Sequence, residues 1–237
     1  MLNQSKREIV WKKVTPRRLN LLVQHPKKFD NQLLVIENSL DLSGITTLTS
    51  LPKHLYLEGD LNLSNCTGLT TLPESLAVMG NMVLQGCTGL ITLSENILIG
   101  GCINLIDCTG LKSLPDNLDV KGFINLGGCT ELISLPNKFQ VNDDLILKDC
   151  TNLESLPKNL KVGEYLVLSG CTKLNELPED IEVDNAIIID GKTGLTSISK
   201  NLKIGGIIFE NFFNKERPDN EVEGSTSNNR ITWNNAA

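Results

Sequence analysis

Cys66, Cys87, Cys108, Cys129, Cys150 and Cys171 stand 21 residues apart, and each is followed by a threonine. A fixed period of this size points to a solenoid, in which no repeat can bury its apolar face without its neighbours. The unit LPKNLKVGEYLVLSGCTKLNE defines seven apolar slots: Leu156, Leu160, Val162, Leu166, Leu168, Cys171 and Leu174. Complete units begin at Leu51, Leu72, Leu93, Leu114, Leu135, Leu156 and Leu177, and Lys192 is the one slot among them that is not apolar. A partial unit starts at Leu34, with Ile45 in the cysteine slot, and another runs from Ile198 to Phe209. These units predict about eight 21-residue turns stacking like side chains in one shared core.

Leu61-x-Leu63, Leu145-x-Leu147 and Leu166-x-Leu168 alternate with the period of a strand. Each unit should therefore give one strand to a continuous parallel sheet, with neighbours about 4.8 Å apart. Leu-Pro steps (Pro52, Pro73, Pro115, Pro136, Pro157, Pro178) mark the other side of the turn. Proline cannot donate to a ladder, so that side is expected to be extended or turn-like, not a second central strand.

Residues 1–29 do not fit the repeat. Lys6 to Val14 and Pro16 to Val23 read as two short helices, expected to cap the first rung with Ile9, Val10, Val14, Leu19, Leu22 and Val23. This basic helical N-terminal cap carries eight Lys/Arg against Glu8, whereas the remainder carries 14 basic and 27 acidic residues. The body should repel nucleic acid and anionic membrane; the first segment could instead tether the chain to either. Residues 30–210 form the solenoid, and the polar stretch 211–237 is expected to be disordered. No apolar run approaches the roughly 20 residues of a membrane span, and the start lacks the pattern of a Sec-type signal. An odd cysteine count at rigid spacing predicts reduced thiols in a cytosol.

The pattern LxLxxCxxLxxLP over residues 34–209 resembles a leucine-rich repeat. Its short period and Leu-Pro step are similar to the LPX-type repeats of secreted effectors from intracellular bacterial pathogens, although those usually carry asparagine in the cysteine slot and are often one residue shorter. The resemblance implies a leucine-rich-repeat-like fold and a virulence effector that reaches a host cytosol by a non-Sec route. Some relatives continue into a ubiquitin-ligase domain. Some 27 polar residues follow Glu210 here, too few for such a domain, so ligase activity does not carry over.

Catalytic and metal chemistry find little support. The ladder cysteines lie one per turn, without the paired C-x-x-C knuckles of a zinc site, and read as small buried hydrophobes. Cys102 lies off the register at a position expected to point outward, which makes it the most reactive thiol. The threonines from Thr46 to Thr193 are expected to satisfy backbone groups at the bend after each strand. Neither His25 nor His54 has an obvious partner, and Asp143-Asp144 and Glu179-Asp180 are adjacent pairs that point apart. No enzyme, metal, cofactor or small-molecule substrate is expected.

The outward face of the strands is left as the candidate site. Early turns place Asp60, Asn62 and Ser64 there, then Asn81, Val83 and Gln85. Later turns place Phe123 and Asn125; Asp144, Ile146 and Lys148; Tyr165 and Val167; Ile188; and finally Ile207 and Phe209. An apolar stripe with aromatic anchors and flanking charges suits a protein partner. The candidate binding residues are Phe123, Asp144, Ile146, Lys148, Tyr165, Val167 and Ile188.

Overall fold

The computed structural model describes residues 11–13, 24–137, 139–199 and 202–210. Over these residues the chain is a right-through parallel β-solenoid, one turn per repeat. Of the apolar slots in the complete units, all are buried except Lys192 and Leu195. Leu61, Leu63, Cys66 and Leu69 are each fully buried, as are Leu145, Leu147, Cys150 and Leu153 four turns on. Burying a Leu or Val side chain contributes about 1.5–3 kcal/mol, and here it is made by the adjacent turns.

The Leu-x-Leu segments build a nine-stranded parallel sheet. Its strands are Leu40–Asp41, Leu61–Asn62, Met82–Val83, Ile103–Asn104, Ile124–Asn125, Leu145–Ile146, Leu166–Val167, Ile187–Asp190 and Ile207–Glu210. Leu61, Leu63 and Asn65 donate their N–H groups to Asn81, Val83 and Gln85 at 2.9, 2.7 and 2.7 Å, and later turns repeat the scheme.

The Leu-Pro side differs from the sequence expectation. Trp11–Lys13, Leu33–Ile36, His54–Leu57, Ser75–Val78, Asn96–Ile99 and Asp119–Val120 form a second, six-stranded parallel sheet. Gln140–Val141, Lys161–Val162, Glu182–Val183 and Lys203–Ile204 continue that side as a four-stranded sheet. Pro52 precedes its strand by two residues, so the missing N–H lies outside the ladder and the objection to a strand does not apply. The break between the two sheets coincides with Phe139, the one aromatic in a slot otherwise held by Leu or Ile.

The expected N-terminal helices need correction at one point. Trp11–Lys13, inside the first predicted helix, is a strand paired in parallel with Leu33–Val35, and so it forms the edge strand of the six-stranded sheet. A 3-10 turn at Pro26–Phe29 leads into the first repeat, and Phe29 packs against the core. The rest of the expected cap and the expected disordered tail lie outside the described residues.

A left-handed residue follows each of the first seven strands of the long sheet, one position before the cysteine slot. These residues are Gly44, Asn65, Gly86, Asp107, Gly128, Asp149 and Gly170, a strict alternation of glycine with Asn or Asp. Those residue types are the ones that visit positive φ most readily. The alternation has a steric cause: a Cβ on Gly86, Gly128 or Gly170 would overlap the side-chain Oδ1 of Asn65, Asp107 or Asp149 on the turn before. Each Asx leans over the next turn and leaves room there for glycine alone.

Candidate functional site

The cysteine ladder has a definite structural role. Each thiol reaches back to the turn before and donates its S–H to a leucine carbonyl: Cys66 to Leu42, Cys87 to Leu63, Cys108 to Leu84, Cys129 to Leu105, Cys150 to Leu126 and Cys171 to Leu147, at 3.0–3.3 Å. The same carbonyl accepts the backbone N–H of the residue in its own turn's cysteine slot, as Leu63 does from Cys66 at 3.1 Å and Leu42 from Ile45 at 3.4 Å, so both lone pairs are used. Burial pushes the Cys87 thiol up to about 11 and those of Cys108 and Cys150 up to about 12, and raises Cys66, Cys129 and Cys171 as well. Such thiols stay protonated near neutral pH and are neither nucleophiles nor metal ligands.

At Lys192 the ladder ends, and a different donor takes over. The Thr193 hydroxyl donates to the Leu168 carbonyl at 3.1 Å, while Asp190 accepts from the N–H groups of Gly170, Lys192 and Thr193, each at 3.0 Å. Burial raises the Asp190 carboxyl, but these donors outweigh it and hold the group below its ordinary value. Thr172 likewise donates to the Thr151 carbonyl at 3.2 Å, the role expected of this column.

The outward face of the nine-stranded sheet changes character along its length. Its central column, in register, is Asp41, Asn62, Val83, Asn104, Asn125, Ile146, Val167, Ile188 and Ile208. In the early turns the polar members brace the backbone. Asp41 accepts the Ser43 N–H at 2.9 Å; Asn62, Asn104 and Asn125 accept those of Ser64, Ile106 and Gly127 at 3.0 Å. From Ile146 onward this brace is replaced by half-buried aliphatic side chains that cannot accept a hydrogen bond.

A neighbouring column lies at the bend just before each strand: Ser39, Asp60, Asn81, Cys102, Phe123, Asp144, Tyr165 and Ala186. Its polar members also serve the backbone. Ser39 Oγ accepts the Asp60 N–H, Asp60 that of Asn81, Asn81 that of Cys102, and Asp144 that of Tyr165, all within 2.6–2.9 Å. Asp144 is thus partly a structural residue. Phe123 and Tyr165 are half-buried two turns apart, and Lys148 is exposed on the far side of Ile146. The candidate residues therefore share one face. Cys102 is half-buried against Gly122, less open than its register suggests.

Two features depart from the sequence reading. The last turn is one residue short: Ile187 pairs with Ile207, so Ile207 points inward and Ile208, not Ile207 or Phe209, joins the outward column. The three-residue bend Glu58-Gly59-Asp60 has shrunk there to Gly205-Gly206, and a one-residue change flips every following side chain. Second, the most exposed large apolar residues lie elsewhere, Leu98 at 41%, Ile91 and Ile133 at 51%. Leu98 completes a column with Val35, Tyr56 and Ala77 on the six-stranded sheet. The alternations Leu55-x-Leu57 and Ile97-x-Ile99 were the signal for that sheet.

A groove of about 590 Å3, lined in part by Ser134, Ser155, Pro157 and Lys158, lies away from this face and has no pair of ionisable groups poised for proton transfer. Among the described residues no cluster of His, Cys, Asp and Glu could hold a metal ion, and no helix is long and apolar enough to cross a membrane. The class of architecture is a parallel β-solenoid with one 21-residue repeat per turn. Comparison with family models, curated proteins and solved structures gives no significant match.

Proposed function

We propose that this chain is a non-catalytic recognition module that binds a partner protein on the outward face of the nine-stranded sheet. The binding surface is centred on Phe123, Asp144, Ile146, Lys148, Tyr165, Val167 and Ile188. One observation carries the reading: Asn62, Asn104 and Asn125 brace the turn that follows them, and Ile146, Val167 and Ile188 forgo that bond. A side-chain bond of this kind is worth about 0.5–1.5 kcal/mol, and from Ile146 onward no side chain of the column supplies it, although in the turn of Ile188 the Thr193 hydroxyl accepts the Asp190 N–H instead. Strand propensity alone would favour Val and Ile equally in the early turns, where Val83 is the one aliphatic member of the column. Local rules broken in one place are the mark of a surface kept for another purpose. A preformed solenoid face also loses little ordering entropy on binding.

The repeat pattern's resemblance to leucine-rich repeats of the LPX type supports a bacterial effector working in a host cytosol as the setting. The Phe123→Ala/Tyr165→Ala variant should lose partner capture from host lysate by tenfold or more, with its melting temperature within about 4 °C of the parent. Undiminished capture removes this face from consideration.

A further inference from the structure

The apolar column is bordered on one side by a row of carboxylates. At the bends before the sixth, seventh and eighth strands of the long sheet stand Asp143 and Asp144, then Glu164, then Asp184. Glu164 and Asp184 are exposed and Asp143 is half-buried. Among the described residues no cation pairs with any of them; Glu164 accepts from the Asn185 amide at 3.4 Å, and Asp143 from the Asp144 N–H at 2.8 Å. The adjoining column of the four-stranded sheet is different, because there Lys161 and Lys203 bracket Glu182 at 2.8 and 2.7 Å and neutralise it. The acidic border therefore belongs to the apolar column. Along the opposite border Lys148 and Lys192 alternate with Asp149 and Asp190, so that side is balanced.

Geometry narrows the partner further. Ile146, Val167, Ile188 and Ile208 rise along the solenoid axis at about 4.8 Å per turn, a row roughly 14 Å long. An extended peptide running with the strands would cross this row, touching one or two members. An α-helix lying along the axis repeats its own apolar face every 5.4 Å, close enough to meet all four. Resting on the proposed recognition role of this face, we propose that its partner is an amphipathic α-helix of another protein, apolar along one stripe and lined with Lys or Arg on the flank that meets Asp143, Asp144, Glu164 and Asp184. A second copy of this chain fits less well, since it would bring four more carboxylates to a site already carrying four.

Two labelled 16-residue helical peptides test this, alike in a leucine stripe and differing in a flank of lysine or of glutamate. Measured by fluorescence anisotropy against the full chain, the lysine peptide should bind at least tenfold tighter, with the gap shrinking as salt rises from about 0.1 to 0.5 M. Glu164→Lys/Asp184→Lys should reverse the preference. Ile146→Asn/Val167→Asn restores the residue type of the earlier turns, so it should fold at least as well as the parent yet lose the peptide by tenfold or more. Equal binding of both peptides by the parent overturns the helix-charge assignment, while capture lost with Phe123→Ala/Tyr165→Ala would still uphold the recognition face. Peptide binding that survives Ile146→Asn/Val167→Asn overturns it too. So does a dimer, seen by sedimentation of the chain alone, that this same variant dissociates.

Discussion

At the scale of single residues, the fold depends on positions that hold the backbone in an unusual place. Gly128 has φ 72° and sits beneath the Asp107 carboxylate, so Gly128→Ala adds two costs. The left-handed conformation costs about 1–2 kcal/mol for a residue with a Cβ, and turning Asp107 aside costs about a further 1 kcal/mol. Asp107→Gly removes the second cost and not the first. A double-mutant cycle by urea denaturation should therefore give a coupling of about 1 kcal/mol between these positions, against none between Gly128 and Asp149, which leans away from it. The thiols make a second prediction. With the ladder cysteines fully buried and protonated, a disulfide reagent at pH 8 should label Cys102 in the native protein and all seven cysteines after denaturation. Rapid native labelling of Cys108 or Cys129 would contradict the packed interior.

At the scale of elements, the two faces of each turn were unequally legible. The Leu-x-Leu strand and its register could be read because a period of two set inside a period of 21 leaves one arrangement that buries every slot. The second sheet was hidden by proline, whose effect on a ladder depends on a two-residue offset that composition does not reveal. The shortened last bend was hidden for a similar reason: Ile207, Ile208 and Phe209 are alike in hydropathy, so nothing in their order says which faces in. For the candidate site, the polar-to-apolar change was plain in the sequence, but the job done by Asn62 and Asp144 was not, since a brace is visible only once the accepting atom is placed. The four-stranded sheet offers its own test. Hydrogen bonds from Lys161 and Lys203 hold the Glu182 carboxyl down to about 2, below its unfolded value of about 4.3. Because the folded value is the lower one, this contribution is complete above about pH 5 and is lost as pH falls towards 2. Glu182→Gln should melt slightly below the parent at pH 7, with the gap closing between about pH 4.5 and 2 and narrowing in high salt. A gap that persists at pH 2 would mean that the ladder is not electrostatic.

For the molecule as a whole, the alternation of glycine and Asx at the left-handed position makes the true period 42 residues, two turns. A one-dimensional stack should tolerate loss of a turn at the cost of one interface, wherever the cut falls. Here the position of the cut matters. Removing residues 66–86 joins Asn65 to Cys87 and brings Asp107 directly over Asn65, so one Asx side chain must leave its place. Removing residues 87–107 is also a 21-residue loss, yet it brings Gly128 over Gly86, where no side chain meets another. The two shortened chains have the same number of turns and the same outward apolar column. A rotamer displaced by the first junction costs about 1 kcal/mol, which for a chain of this size lowers the melting temperature by about 2–4 °C relative to the second. Removing residues 66–107, a full double turn, restores the alternation and should lose only what two turns contribute. Because Ile146, Val167, Ile188 and Ile208 lie downstream of every cut, all three chains should keep the partner helix with unchanged affinity. Equal melting temperatures for the two single-turn deletions would show that the alternation has no steric content and that the 21-residue turn is the real unit.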